Sequence, residues 1–97
     1  PQTDRSDVIM SIHPEHVEEI VDGAKTHEFR NFRLHQVARI WIYITHPVCE
    51  LKYMAVISGY KLPGEISADD PGVGNKAFNE GKGSKYAYEL LQVYQLN

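Results

Sequence analysis

The fold of this chain is decided by residues 23–30, which read Gly23-Ala24-Lys25-Thr26-His27-Glu28-Phe29-Arg30. This segment lies where a short helix is predicted to end and a strand to begin, and glycine at the junction permits a positive φ. If the chain runs as a strand from Thr26, one face of that strand carries Thr26, Glu28 and Arg30. Lys25 lies in the turn and can lean over the same face. We therefore expect two cations and one carboxylate to share one cleft.

The elements before this segment are predicted to be a strand and a helix. Residues 8–12 form a short apolar run bounded by polar residues, which predicts a buried strand. Pro14 suits the first helical position, acidic residues fill the early turns and a glycine follows the end, so we expect a helix of about two and a half turns. Its apolar stripe of Val17, Ile20 and Val21 predicts that the helix packs on a sheet.

The middle of the chain is predicted to hold two strands and a long loop. Residues 37–45 have the strongest strand pattern, and because both faces are largely apolar we expect a central strand that is covered on each side and roofs the cleft. Residues 51–60 resume as a strand, antiparallel to the previous one. Residues 61–83 are rich in Pro, Gly, Asp and Asn, which predicts a long surface excursion with one helical turn at residues 75–79.

The chain closes with a predicted strand at residues 84–96. Alternation along this strand places Tyr86, Tyr88, Leu90 and Tyr94 on one face, and Ala87, Leu91 and Val93 on the other. The total of about five strands and one main helix indicates an α+β domain built on a small, curled, barrel-like sheet.

Composition and charge narrow the class of protein. The 97 residues carry a formal net charge of −3, so any phosphate binding must come from a local cluster of cations. The single cysteine, Cys49, cannot form an intrachain disulfide and favours an intracellular compartment, cytoplasm or nucleus. The sequence shows neither an apolar run of membrane-spanning length nor a signal peptide, so no membrane partner is expected. Residues 1–7 are polar, and we expect residues 1–97 to be a single domain excised from a longer chain.

Other candidate residues have plain interpretations beside the functional ones. His13 and His16 could suggest a metal, but no third ligand follows at a recognised spacing, so surface histidines are favoured and neither metal nor cofactor is predicted. Cys49 is favoured as an idle thiol over a nucleophile assisted by His46. Tyr43 could stack on an unpaired base or pack in the core, and both interpretations stay open.

Several stretches of the chain match a known pattern. Residues 7–17 (DVIMSIHPEHV) and 23–30 (GAKTHEFR) resemble the ASCH family of the PUA-like superfamily, in which I-K-P is followed by G-x-K-x-x-E-x-R. Residues 41–48 (WIYITHPV) are similar to a strand of that family, and residues 79–90 to its closing strand. The chain departs from the pattern at His13, which stands where the family usually carries lysine.

The resemblance implies a small β-barrel with helices flanking a cleft, and a cleft lined by the G-x-K-x-x-E-x-R segment. Members of the family are thought to bind RNA or modified nucleotides. A few similar members are enzymes, namely an amidohydrolase acting on acetylated cytidine and proposed ribonucleases. The amidohydrolase shares the lysine but has threonine at the position of Glu28, so its activity is not carried over to this chain.

The leading hypothesis is a module that binds single-stranded RNA or a modified nucleotide, with DNA also a candidate. Its predicted ligand-binding residues are Lys25, Thr26, Glu28, Arg30, Tyr43, Thr45, His46, Lys82 and Lys85. The cations would meet phosphate or a base edge, Glu28 would accept from a base amino group, and Tyr43 would stack. The alternatives are a small RNA or nucleoside hydrolase, an amidohydrolase or ribonuclease with Lys25 or Glu28 as general base, and a protein-interaction module that docks through the long loop.

Overall fold

A computed structural model describes residues 6–97, so most of the predicted polar stretch, residues 1–5, lies outside the described residues. The elements follow the predicted order. They are β1 (Asp7–Ile12), α1 (Pro14–Val21), β2 (His27–Arg30), β3 (Arg39–Ile44), β4 (Glu50–Lys61), α2 (Asn75–Asn79) and β5 (Tyr86–Gln95). Within residues 6–97, no helix is long and apolar enough to cross a membrane.

The five strands form one mixed sheet in the order β1-β3-β4-β5-β2. β1 runs parallel to β3, and the other neighbours are antiparallel. The sheet curls into a half-barrel, so that its two edge strands, β1 and β2, approach each other. Arg30 Nη2 of β2 donates to the carbonyl oxygen of Ser11 in β1 at 3.2 Å. The predicted α+β domain with a curled five-strand sheet and one main helix is confirmed.

The main core lies on one face of the sheet. Along β3, Ile40, Ile42 and Ile44 are buried, whereas Trp41 and Tyr43 are half-buried. α1 packs on the isoleucine face, which leaves the opposite face of β3 without a helical cover. The prediction that β3 is covered on each side is therefore wrong, because the main helix serves one face of the sheet and its Trp and Tyr lie on the other.

A β-bulge interrupts the alternation of β5. Gln92 lies opposite Val56, and Leu90 lies opposite Ile57, so Leu91 is an extra residue in the ladder. Beyond the bulge, Val93 packs on the main core and Tyr94 is exposed. The prediction that Tyr94 shares a face with Tyr88 is wrong, because an inserted residue exchanges the two faces of every later position.

The long excursion between β4 and β5 packs against the start of β2. Thr26 Oγ1 donates to Asp70 Oδ1 at 3.0 Å and accepts from Asn75 Nδ2 at 3.0 Å. The backbone nitrogen of Val73 donates to the carbonyl oxygen of Ala24 at 2.9 Å. These bonds fix residues 70–75, which we call the strap, beside the first residues of the edge strand β2.

Gly72 is required by the close approach of the strap to Thr26. A Cβ atom at this position would lie 2.2 Å from Thr26 Oγ1 and 2.8 Å from Asn75 Nδ2. We expect Gly72→Ala to lower the free energy of unfolding by about 1–3 kcal/mol, the usual cost of overpacking. Gly83→Ala is the matched control, since nothing lies within 4 Å of its Cβ. Urea denaturation measures both, and equal stabilities of the two variants would contradict the close approach.

Candidate ligand-binding site

The turn between α1 and β2 positions the first charged group of the site. Gly23 adopts φ +85°, in the left-handed region that glycine enters without strain. Asp22 Oδ1 accepts from the backbone nitrogen of Ala24 at 2.9 Å, and the backbone nitrogen of Lys25 donates to the carbonyl oxygen of Glu19 at 2.9 Å. The main chain of Lys25 is thus tied to the last turn of the helix, immediately before the strand begins.

Three charged side chains converge beyond this turn. Glu28 Oε2 accepts from Arg30 Nη2 at 2.7 Å, and Glu28 Oε1 lies 3.8 Å from Lys25 Nζ. Lys25 and Glu28 are 8% and 6% exposed, which is rare for charged residues. Arg30 is half-buried. The structure therefore brings together the two cations and the carboxylate that alternation and the glycine turn predict.

The three groups line an open cleft of about 410 Å³ between the two sheet edges. The end of β1 and the start of α1 contribute Ser11, His13 and His16, and the strap contributes Val73 and Gly74. The roof predicted from the strand at residues 37–45 is not found, because β1 lies between that strand and the cleft in the sheet order. The cleft follows from sheet curvature, since it occupies the gap that the half-barrel leaves between its edges.

Two buried polar atoms in this cleft have no hydrogen-bond partner among residues 6–97. They are Glu28 Oε1, an acceptor, and Arg30 Nε, a donor. An unsatisfied buried polar atom costs about 1–3 kcal/mol, and more when it belongs to a charged group. The cleft can therefore accept one hydrogen bond and donate another to a bound molecule without breaking the Glu28–Arg30 contact.

Burial lowers the pKa of Lys25, and the nearby Glu28 carboxylate opposes this shift without cancelling it. Lys25 Nζ also lies 4.6 Å from the centre of the Phe29 ring, a distance at which the ring attracts a cation. Lys25 is thus held by an ion pair and a ring rather than by short hydrogen bonds, and its amine is closer to the neutral state than that of an exposed lysine.

Thr26, predicted as a ligand-binding residue, does not line the cleft and binds the strap instead. Its hydroxyl lies 2.9 Å from Nδ1 of His27, whose Nε2 lies 3.1 Å from Lys61 Nζ, and Lys61 Nζ in turn donates to Glu89 at 2.9 Å. A neutral ring that donates from Nδ1 and accepts at Nε2 satisfies both contacts. His27 is fully buried, and its pKa is lowered first by burial and then by the positive charge of Lys61.

The remaining predicted site residues lie outside the cleft. Thr45 supports its rim, because Thr45 Oγ1 lies 3.2 Å from Nδ1 of the rim residue His13. Tyr43 is on the opposite face of the sheet, where a hydrogen bond with the Cys49 side chain raises the pKa of its phenol. His46 is exposed beyond the end of β3.

The two lysines of the long loop lie near the other end of β2. Lys82 lines a smaller hollow beside Phe29 and pairs with Glu80 at 3.2 Å. The backbone nitrogen of Lys85 donates to Asn31 Oδ1 at 3.1 Å, next to Arg30 in the chain. Both lysines therefore border the cleft region without entering it.

Local sequence patterns did not indicate several residues that line the cleft, among them two histidines and two residues of the strap. His13 and His16 were expected as surface histidines, and they are exposed, yet they form its rim. Within residues 6–97, no group of three or more His, Cys, Asp or Glu side chains could hold a metal ion. Val73 and Gly74 reach the cleft through bonds between the strap and the turn before β2 that span more than forty residues, for which the sequence carries no local signal.

The buried His27 gives a pH dependence to stability. Because its pKa in the folded state lies below the ordinary value of about 6.5, it contributes stability above that pH, and this contribution is lost as the pH falls toward the folded-state pKa. We expect His27→Asn to be less stable than the parent at pH 8 and to lose less stability between pH 7 and pH 5. Urea unfolding across this range measures the effect, with the exposed His35→Asn as control. Parallel stability curves for parent and His27→Asn would contradict the assignment.

The comparisons with known proteins agree with this architecture. No protein-family model and no curated protein sequence matches the chain. The crystal structure of an ASCH protein from Zymomonas mobilis is similar, with 28% identity and a TM-score of 0.61 over 92% of this chain and 68% of that one. A tyrosine-to-phenylalanine variant of the Zymomonas protein gives 26% identity and a TM-score of 0.62 over 96% of this chain and 76% of that one.

A serine-to-alanine variant of the same protein gives 26% identity and a TM-score of 0.57 over 97% of this chain and 69% of that one. All three likenesses extend over nearly the whole of this chain. This likeness in fold and sequence supports an ASCH domain.

Proposed function

We propose that this domain binds single-stranded nucleic acid or a modified nucleotide, with RNA favoured over DNA, in the cleft between β1 and β2. The observation that carries the proposal is the convergence of Lys25, Glu28 and Arg30 in an open cleft of about 410 Å³. Buried charges are retained where they are paired or serve a site. Here the pairing is incomplete, because one carboxylate oxygen and one guanidinium nitrogen are left unsatisfied.

The unsatisfied atoms favour a base edge as the group that enters the cleft floor. Glu28 Oε1 needs a donor, and Arg30 Nε needs an acceptor. The hydrogen-bonding edge of every nucleobase places a donor beside an acceptor. A phosphate brings acceptors alone at its charged oxygens, so the Glu28 carboxylate would repel it. The base is therefore expected at the floor, and the phosphate toward the cations and the histidine rim.

The net charge of the chain indicates that nucleic acid is attracted by a local group of cations and not by the charge of the whole domain. At a formal net charge of −3, long-range attraction to nucleic acid is weak. Lys25 and Arg30 must supply the phosphate or base-edge contacts, with Lys82 and Lys85 adding sequence-independent contacts from outside the cleft. An intracellular location, cytoplasm or nucleus, belongs to the same proposal, because the ligand is found there and Cys49 is a free, exposed thiol.

Removing both cations of the cleft should abolish binding. A hydrogen bond to a charged group contributes about 1.5–3 kcal/mol, so each of Lys25→Met and Arg30→Met should weaken binding by about tenfold or more. The double variant should show no binding of a single-stranded RNA oligonucleotide in fluorescence anisotropy. The parent's affinity should fall as salt rises.

The control is the double variant Lys52→Met and Lys76→Met, which removes the same charge at positions outside the cleft. It should bind nearly as the parent does. Thermal unfolding of all variants separates lost binding from lost folding. Retained RNA binding by a folded Lys25→Met, Arg30→Met protein would refute the cleft as the binding site.

A second candidate function is hydrolysis of RNA or a modified nucleoside, and the lowered pKa of Lys25 favours it. A neutral Lys25 amine could take a proton from water as the water oxygen attacks the scissile centre, and then return the proton to the leaving group. Glu28, next to this amine, is the other candidate base.

Incubation of the protein with labelled RNA and with acetylated nucleosides tests this candidate. Turnover that Glu28→Gln abolishes while ligand binding persists would support the hydrolase, because the amide keeps the shape of the side chain but cannot take a proton. If no substrate is turned over, the hydrolase is refuted and binding remains the proposed function.

A further inference from the structure

Three aromatic residues and an arginine lie near the end of β2, and two of the rings, those of Phe32 and Tyr60, are exposed. Arg33 Cζ is 4.6 Å from the centre of the Tyr60 ring, and the Tyr60 and Tyr86 rings are 5.5 Å apart with an interplanar angle of 88°. Phe32 is 53% exposed and Tyr60 is 42% exposed. We call these four residues the aromatic platform. Large rings normally bury most of their surface, so the exposure of Phe32 and Tyr60 beside the half-buried Tyr86 indicates a binding surface.

Two part-buried hydrogen bonds hold the main chain on both sides of Arg33 in the platform. The hydroxyl of Tyr88, a core residue, donates to the carbonyl oxygen of Phe32 at 3.0 Å and accepts from the backbone nitrogen of Leu34 at 2.7 Å. The residue between these two contacts is Arg33, so its main chain is fixed on both sides. A surface ordered in this way loses little conformational entropy when it binds a partner.

The platform neighbours the cleft residues in the sheet. Arg30 lies opposite Tyr86, and Glu28 lies opposite Tyr88, in the antiparallel ladder of β2 and β5. Directly opposite residues share one face of a sheet. The Glu28–Arg30 pair of the cleft is therefore followed on the same face by Tyr86, then by Tyr60 and Arg33.

We propose that the aromatic platform is a second subsite, which stacks an unpaired base of the same strand whose neighbouring nucleotide occupies the cleft. This inference rests on the proposed function of the cleft and extends it from a nucleotide to a strand. Aromatic rings stack on bases of any sequence, and an arginine beside them adds a cation for the phosphate. Lys85 lies one residue before Tyr86 and adds a second exposed cation at this edge.

A strand fits this surface better than an apolar protein segment does. The most exposed rings, Phe32 and Tyr60, are accompanied by Arg33, whose guanidinium lies over one of them. An apolar segment docked there would have to cover that charge, whereas a base and its phosphate use both the ring and the cation. Because a ring and a cation lie side by side on it, we expect this surface to bind single-stranded nucleic acid.

The inference predicts that affinity depends on strand length. A mononucleotide reaches the cleft alone, whereas a tetranucleotide also reaches the platform. Stacking on one aromatic side chain typically changes affinity by about 5- to 150-fold. Uridine monophosphate and tetrauridylate, and the corresponding deoxy ligands, should be titrated into the protein by calorimetry.

The deciding variant is Tyr60→Leu, with Tyr94→Leu as the matched control because Tyr94 is similarly exposed, at 45% against 42%, but lies outside the platform. We expect Tyr60→Leu to lower tetranucleotide affinity toward that of the mononucleotide and to leave mononucleotide affinity unchanged. Arg33→Gln should act in the same direction. Tyr94→Leu should change neither affinity.

Each other result has a distinct meaning. Equal affinity of the parent for the two lengths, or a tetranucleotide affinity insensitive to Tyr60→Leu, would overturn the second subsite and leave the cleft proposal intact. Equal weakening of both ligands by Tyr60→Leu would also overturn it, because Tyr60 would then belong to the first subsite. No binding of either length would overturn the cleft and the platform together. The ribose and deoxyribose arms show which nucleic acid the surface takes.

Discussion

A carboxylate buried between two cations is the constraint on which this domain depends. Taking the Glu28 carboxylate out of water costs several kcal/mol unless its charge is compensated. Arg30 compensates it with a short hydrogen bond, and Lys25 adds a longer ion pair. Arg30 also donates to Ser11 across the gap between the sheet edges. The same guanidinium therefore stabilises the carboxylate and links the two ends of the half-barrel, so the cleft and the fold share one set of contacts.

Local rules predict the parts of the structure that depend on neighbours in sequence. The glycine turn and strand alternation are enough to predict that Lys25, Glu28 and Arg30 share one cleft, without any long-range contact. The strands, the main helix and even the short α2 were found near their predicted positions, because apolar period and turn residues act within a few positions. These are the features for which a single sequence carries enough information.

The features that were missed depend on pairings between distant residues. The bulge at Leu91 depends on the register in which β5 pairs with β4, and the alternation of apolar residues along β5 does not indicate it. Thr26 was placed in the cleft by alternation, yet its hydroxyl binds Asp70 and Asn75, more than forty positions away. The uncovered face of β3, with Trp41, likewise reflects how few helices the chain has to pack against its sheet. The pattern of apolar residues in the sequence does not show which apolar face of a strand a helix will cover.

The order of strands in the sheet also determines when β2 can pair during synthesis of the chain. β2 carries Glu28 and Arg30, and within the sheet formed by residues 6–97 its sole neighbour is β5, the last strand. Domains fold as units while the ribosome adds residues from the N-terminal end. β2 therefore leaves the ribosome early and stays unpaired until β5, Tyr86–Gln95, has been synthesised. A nascent chain that stops before that strand exposes the charges but has no assembled cleft, so the cleft exists only in the finished domain.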